Sequence, residues 1–136
     1  MGTKELGDLG ERLACEYLVK KGFNILGKNW RTRLCGQVIF GELDIIARKK
    51  FKFFTHADKT IHFVEVKTII GSDDSFFPED HVNYKKQQKL KNLAQIWLQK
   101  NKYPQNIPHQ IDVIGILVDE ELRNAKLHYF GNVVEG

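Results

Sequence analysis

The sequence predicts an α/β fold, a mixed β-sheet with helices packed on it, in the order α-β-β-β-α-β-β. Two observations predict it. Two segments repeat apolar residues at steps of three and four, the period of a helix. Between and after them lie short runs rich in Val, Ile and Phe, the residues of strands. The length of 136 residues and fifteen aromatics (nine Phe, four Tyr, two Trp) suit a single domain spanning 1–136 with one sizeable core. The order is neither a pure βαβ repeat nor an all-β barrel.

The first helix is expected over residues 3–21. Leu6, Leu9, Leu13 and Tyr17 form its stripe, Ala14 and Leu18 widen it, and Gly22 after Lys20 and Lys21 is a stop. Phe23, Ile25 and Trp30 suggest a strand over 23–33. GQVIFGELDIIARKKFKFF is β-rich, THADKT is a turn, and IHFVEVKTII is the next strand. GSDDSFFPEDHVN reads as a loop. A second helix is expected from Tyr84 to about Lys102, with Leu90, Leu93, Ala94, Trp97 and Leu98 as its stripe and Tyr103-Pro104 as its end. IDVIGILVD at 111–119 reads as a buried strand and LHYF at 127–130 as the last one.

Several classes are excluded or disfavoured. No apolar run approaches the ~20 residues of a membrane helix, and the charged N-terminus lacks a signal-peptide core. Cys15 and Cys35 make neither a zinc spacing nor a disulfide framework, so a reducing cytoplasmic setting is expected and a nucleophile role is not. The five histidines show no paired metal spacing and receive no role. The net charge of +4 is moderate. Its distribution says more: Lys20, Lys21, Lys28, Arg31 and Arg33 cluster early, Arg48, Lys49, Lys50 and Lys52 later, and Lys85, Lys86, Lys89 and Lys91 on the second helix. Such clusters are either solvated faces or phosphate contacts.

The informative anomaly is acid inside apolar strands. An unpaired buried carboxylate is expensive, yet GELDII carries Glu42 and Asp44 and HFVEVK carries Glu65 followed by Lys67. Strand alternation puts Glu42 and Asp44 on one face and Phe63, Glu65 and Lys67 on one face. If the two strands pair as a hairpin, Asp44 and Glu65 lie close and repel, and a divalent cation resolves the repulsion. The Val66 carbonyl offers a further ligand. Lys67, ~7 Å beyond Glu65 along the strand, can orient a water or stabilise charge on a phosphate. The alternative is a cross-strand ion pair between Glu65 and Lys67 on a solvated face, and spacing alone leaves both readings open.

GERLACEYLVKKGFNILGKNWR, then GELDIIA, FVEVKT, a Lys-rich helix and QIDVIGI resemble the YraN/UPF0102 family. The resemblance runs from about Gly7 to about Tyr129. It implies kinship with archaeal Holliday-junction resolvases and the PD-(D/E)XK nucleases, with a restriction-endonuclease-like three-layer core. It implies a metal-dependent endonuclease that hydrolyses DNA phosphodiester bonds, with possible selectivity for branched DNA, and Mg²⁺ (or Mn²⁺) as cofactor. Asp44 matches the metal-binding aspartate, Glu65 the second acid and Lys67 the catalytic lysine. Glu11 matches an acid that related nucleases place at the metal site, and is otherwise an ordinary acid in the first turns of a helix. Glu42 is expected to be auxiliary. Lys86 matches the lysine opening the family's second helix, or is a snorkelling lysine. Arg31, Arg33, Lys85 and Lys89 are expected to contact nucleic acid through backbone and shape. Asp112 matches an acid in the family and reads as structural. A homodimer is implied by the two-fold symmetry of junctions. The links at 34–40 and 48–60 are longer than the family's usual ones, and Ile69 and Gln110 stand where it usually has arginine. Two other classes stand beside the enzyme: a catalytically silent nucleic-acid-binding module with the same fold, and a protein-interaction subunit.

Overall fold

The computed structural model describes residues 1–33, 40–50, 58–71, 83–121 and 123–134. The elements follow the expected order: α1 (Thr3–Lys20), β1 (Phe23–Arg33), β2 (Phe40–Lys49), β3 (Ile61–Ile70), α2 (Tyr84–Lys100), β4 (His109–Asp119) and β5 (Asn124–Phe130). α2 ends two residues earlier than expected, and β5 starts three earlier. Most of the link at 34–40, the middle of 48–60 and most of the 71–83 loop lie outside the described residues, with Cys35, Lys52, His56, Pro78 and His81.

The five strands form one sheet in the order β1-β2-β3-β4-β5. β1, β2 and β3 form an antiparallel meander. β3 and β4 are parallel, joined by the crossover through α2, and β5 returns antiparallel on β4. Ala14 and Leu18 of α1 pack on one face with Ile45, Val64, Ile114 and Ile116. Leu90, Leu93, Ala94, Trp97 and Leu98 of α2 pack on the other with Leu43, Ile46, Phe63 and Ile111. This three-layer arrangement is that of a restriction-endonuclease-like core.

Each helix is set by a different local device. α2 starts at Asn83, whose Oδ1 accepts the Lys86 amide at 2.9 Å. The α2 stripe is the one expected. α1 differs: its buried row is Gly10, Ala14 and Leu18, while Leu6, Leu9, Leu13 and Tyr17 lie only partly buried against the core. Close approach explains the difference. A Cβ on Gly10 would lie 1.8 Å from Thr68 Oγ1, so glycine alone lets α1 seat on β3 along that row. Gly41 does the same on the opposite face, where a Cβ would meet Leu93 at 2.4 Å.

One carboxylate is wholly buried. Asp112 on β4 is 0 % exposed and is saturated by four donors. Its Oδ2 receives His62 Nδ1 at 2.6 Å and the Tyr129 hydroxyl, and its Oδ1 receives Gln110 Nε2 and the Asn132 amide, both at 2.8 Å. Burial alone would raise its pKa, but the hydrogen bonds from His62, Asn132, Tyr129 and Gln110 outweigh it and hold the carboxyl below the usual range. The expectation of a structural Asp112 is met by His62, Tyr129 and a turn amide, and His62 has the role that the sequence did not suggest. Asp112→Asn keeps the shape but supplies one acceptor oxygen in place of two and turns an amide on the donors. It should cost about 2–4 kcal/mol, read as a lower urea midpoint at unchanged slope. Because the folded pKa is depressed, this stabilisation is present above the unfolded value near 3.8 and is lost as pH falls through the lower folded one.

Candidate metal centre

β2 and β3 stop pairing just where the acids begin. Their register runs from Arg48↔Ile61 to Ile45↔Val64. Beyond that pair β2 continues only on β1, and β3 only on β4. Asp44 and Glu65 are therefore the first residues of the gap. Asp44 Oδ2 accepts the Val66 amide at 2.8 Å, so a side chain takes over where the ladder ends. This contact uses the Val66 amide, whereas the sequence reading placed its carbonyl at the site.

The strict alternation expected of β2 slips at the same point. Leu43 and Ile46 pack on the α2 face, but Ile45 and Ala47 pack on the α1 face. Asn29, with φ of 50°, lies between the Lys28↔Ile45 and Trp30↔Leu43 pairs, opposite Asp44. A left-handed residue in one strand adds local twist to the pair, and the Asp44 carboxylate points into the gap.

Three acids converge there. Glu11 from α1 and Glu42 and Asp44 from β2 bring carboxylate oxygens within 4.8 Å of one another, all half-buried. Glu11 follows Gly10 and Glu42 follows Gly41, so each acid sits one residue from a helix–sheet close approach. Glu65, on the α2 side of the gap, is held by Lys86 Nζ at 2.8 Å. Lys67 is half-buried two residues further along β3. The structure thus brings Asp44, Glu11 and Glu42 together, and brings Lys86 to Glu65. Glu42, expected as an auxiliary, lies within the acidic cluster.

The electrostatics match this crowding. Asp44 is pushed up to about 7 by burial and then by Glu65, with Glu11 and Glu42 adding and the Val66 amide opposing. Burial works against the Lys86 charge, but Glu65, Asp44 and Glu42 outweigh it and raise its pKa. The three converging carboxylates are hard-oxygen donors of the kind that suits Mg²⁺ or Mn²⁺.

The basic residues divide. Arg31 is exposed but tied to Glu42 Oε2 through Nε at 3.3 Å and Nη2 at 3.2 Å. Lys100 Nζ lies 5.8 Å from the centre of the Trp30 ring and 3.3 Å from Thr32 Oγ1. Arg33 and Lys85 are exposed and Lys89 half-exposed. The first turn of α2 holds no acid to balance its lysines or its positive helix end.

The model of the Uncharacterised protein family UPF0102 matches residues 10–116. The chain belongs to the UPF0102 family. A UPF0102 protein of Thermodesulfovibrio yellowstonii is 43% identical over 130 residues, which is 96% of this chain and 100% of that one. UPF0102 proteins of Caldicellulosiruptor bescii and Alkaliphilus metalliredigens are 36% and 37% identical, over 94% and 96% of this chain and 95% and 97% of theirs. The family model spans Glu11, Glu42, Asp44, Glu65, Lys67 and Lys86, so every acid of the gap lies within the UPF0102 match. Among the described residues, no helix is long and apolar enough to cross a membrane.

Two outcomes follow. A folded pKa raised above its unfolded value stabilises fully below the unfolded value, near 3.8 here, and that stability is lost as pH rises through about 7. Metal-free protein should therefore melt lower at pH 8 than at pH 5. Asp44→Asn, which keeps an acceptor for the Val66 amide, should flatten that dependence and melt roughly 3–6 °C higher at pH 8. Melting curves at both pH values decide it. Gly10→Ala should lift α1 off Thr68, destabilise by about 1–3 kcal/mol, and lower divalent-cation affinity measured by calorimetry.

Proposed function

We propose that this UPF0102 protein is a metal-dependent endonuclease that hydrolyses DNA phosphodiester bonds. The observation that carries the reading is the convergence of Glu11, Glu42 and Asp44 at the gap between β2 and β3, with Glu65 across it. Asp44, Glu11 and Glu42 would hold Mg²⁺ or Mn²⁺, with Glu65 and the Val66 carbonyl on the β3 side. A bound divalent ion supplies an acidified water and offsets charge on the reacting phosphate.

The chain's own groups do the rest. Lys67 orients the attacking water and donates to a non-bridging phosphate oxygen. Lys86 neutralises Glu65 and fixes its carboxylate. Arg31 does the same for Glu42 at the rim. Lys85, Lys89 and Arg33 contact the DNA backbone, helped by the unbalanced positive start of α2. Recognition of branched DNA would come from shape and backbone contacts.

A second reading has an observation of its own. Glu65 and Glu42 already have cationic partners in Lys86 and Arg31, as they would in a module that binds nucleic acid without turnover.

One assay separates the two. Plasmid, flapped and branched DNA are incubated with Mg²⁺, Mn²⁺ or chelator. For the enzyme, cleavage appears with metal and falls at least ~10²-fold in Asp44→Ala and in Lys67→Ala. Salt-sensitive binding without cleavage in any metal supports the silent module. Absence of both overturns both readings.

A further inference from the structure

One acid at the gap stands apart from the rest. Glu11, Glu42 and Asp44 bring oxygens within 4.8 Å of one another, and Glu65 is not in that group. Glu65 is taken instead by Lys86, whose Nζ lies 2.8 Å from its Oε1. The Glu65 side chain is 12 % exposed and that of Lys86 is 50 % exposed. The carboxylate thus belongs to the sheet, and the ammonium reaches it from the solvent side on a flexible four-carbon stem. Asp44 and Glu42 attract the same ammonium. A monovalent cation therefore sits against acids that would receive a divalent one.

The surroundings of Lys86 within α2 oppose a charge there. The Asn83 cap accepts the Lys86 amide at 2.9 Å, which places Lys86 in the first turn of the helix. The free amides of that turn give the helix end a positive character that disfavours a cation. The turn holds no acid to balance it. Lys85 adjoins, and Lys89, three residues on, is a like-charged neighbour along the helix. Attraction from across the gap, with Glu65 in direct contact, offsets these repulsions. The ion pair is held from the sheet side alone.

A divalent ion among the acids would reverse that balance. It carries twice the charge of an ammonium and binds carboxylate oxygen directly. Two cations at close range on one half-buried carboxylate repel strongly. Lys86 can withdraw by turning its stem, with its backbone still held at the cap.

We propose that Lys86 is a stand-in cation: it occupies Glu65 in the metal-free protein and yields it when the site loads, which frees an ammonium beside Lys85 and Lys89 on the face assigned to DNA. Lys86 is in this sense a positioning residue that acts through Glu65, and metal affinity depends on how readily it leaves. The inference rests on the metal-dependent reading above. Its failure leaves that reading standing, because a lysine that stays on Glu65 is still compatible with metal at the other three acids.

Calorimetric titration of Mn²⁺ into the full chain, without DNA, tests it. Lys86→Met keeps the stem and removes the charge, and should bind Mn²⁺ at least ~5-fold more tightly than the unaltered chain. In Glu65→Gln chains the same substitution should change affinity by less than about twofold, since Lys86 then has no carboxylate to withhold. Lys86→Gln serves in place of Lys86→Met where melting curves show that the latter does not fold. A second readout needs no variant at position 86. Acetylation of the unaltered chain by an amine-reactive ester, followed residue by residue by mass spectrometry, should quicken severalfold at Lys86 when Mg²⁺ is added and stay unchanged at Lys85 and Lys89, because a released ammonium is more accessible to the reagent. Equal or weaker Mn²⁺ binding on removal of the Lys86 charge overturns the proposal. So does a tightening that persists undiminished in Glu65→Gln chains, or Lys86 acetylation indifferent to Mg²⁺. No Mn²⁺ binding by any of these chains overturns the metal-dependent reading itself, and this inference with it.

Discussion

The hydrogen bond from the Val66 amide to the Asp44 carboxylate is the contact on which the site rests. It stands where the ladder between β2 and β3 gives out, after Ile45↔Val64. A sheet that parted there without it would leave the Val66 amide buried without its partner, at a cost comparable to a lost hydrogen bond. With it, the strands part and the acids at the gap stay half-buried. The same carboxylate is then short of water and close to Glu65, which is why its proton is held up to about pH 7. The strand parting and the raised pKa come from one side chain.

The two helices bring complementary charges to that gap from opposite faces. α1 delivers Glu11 and α2 delivers Lys86. Each helix is located by a small feature some distance from the charge. Gly10 sets how near α1 can come to Thr68, and the Asn83 cap fixes the turn in which Lys86 lies. Cation and acids are thus spaced by packing against a rigid sheet, the arrangement in which side chains are held with the least freedom.

The element order and the α2 stripe were legible in the sequence because hydrophobic period reports burial directly. Asp44 and Glu65 stood out as candidates because an acid in a β-branched run violates the rule that strands bury apolar groups, and the structure places them at the first unpaired positions of β2 and β3. The buried row of α1 was not legible. Gly10 carries no hydropathy signal, yet it decides which stripe of the helix touches the sheet. The Gly-Glu pairs at 10–11 and 41–42 were the available clue, since a glycine tight against a neighbour places the next residue. The meeting of Glu42 with Glu11 was hidden for another reason. It depends on how α1 seats on the sheet, which is not a property of β2 alone. His62 was missed because its partner lies fifty residues away on β4.

The Asp112 knot has a consequence for the edge of the sheet. Its donors come from β3, from β4 itself, from β5 and from the turn at Asn132. An edge strand ordinarily frays on its own. Here, peeling β5 away would carry off the Tyr129 hydroxyl and leave a buried carboxylate short of a donor, which is costly. The edge strand is thereby tied to the unfolding of the core.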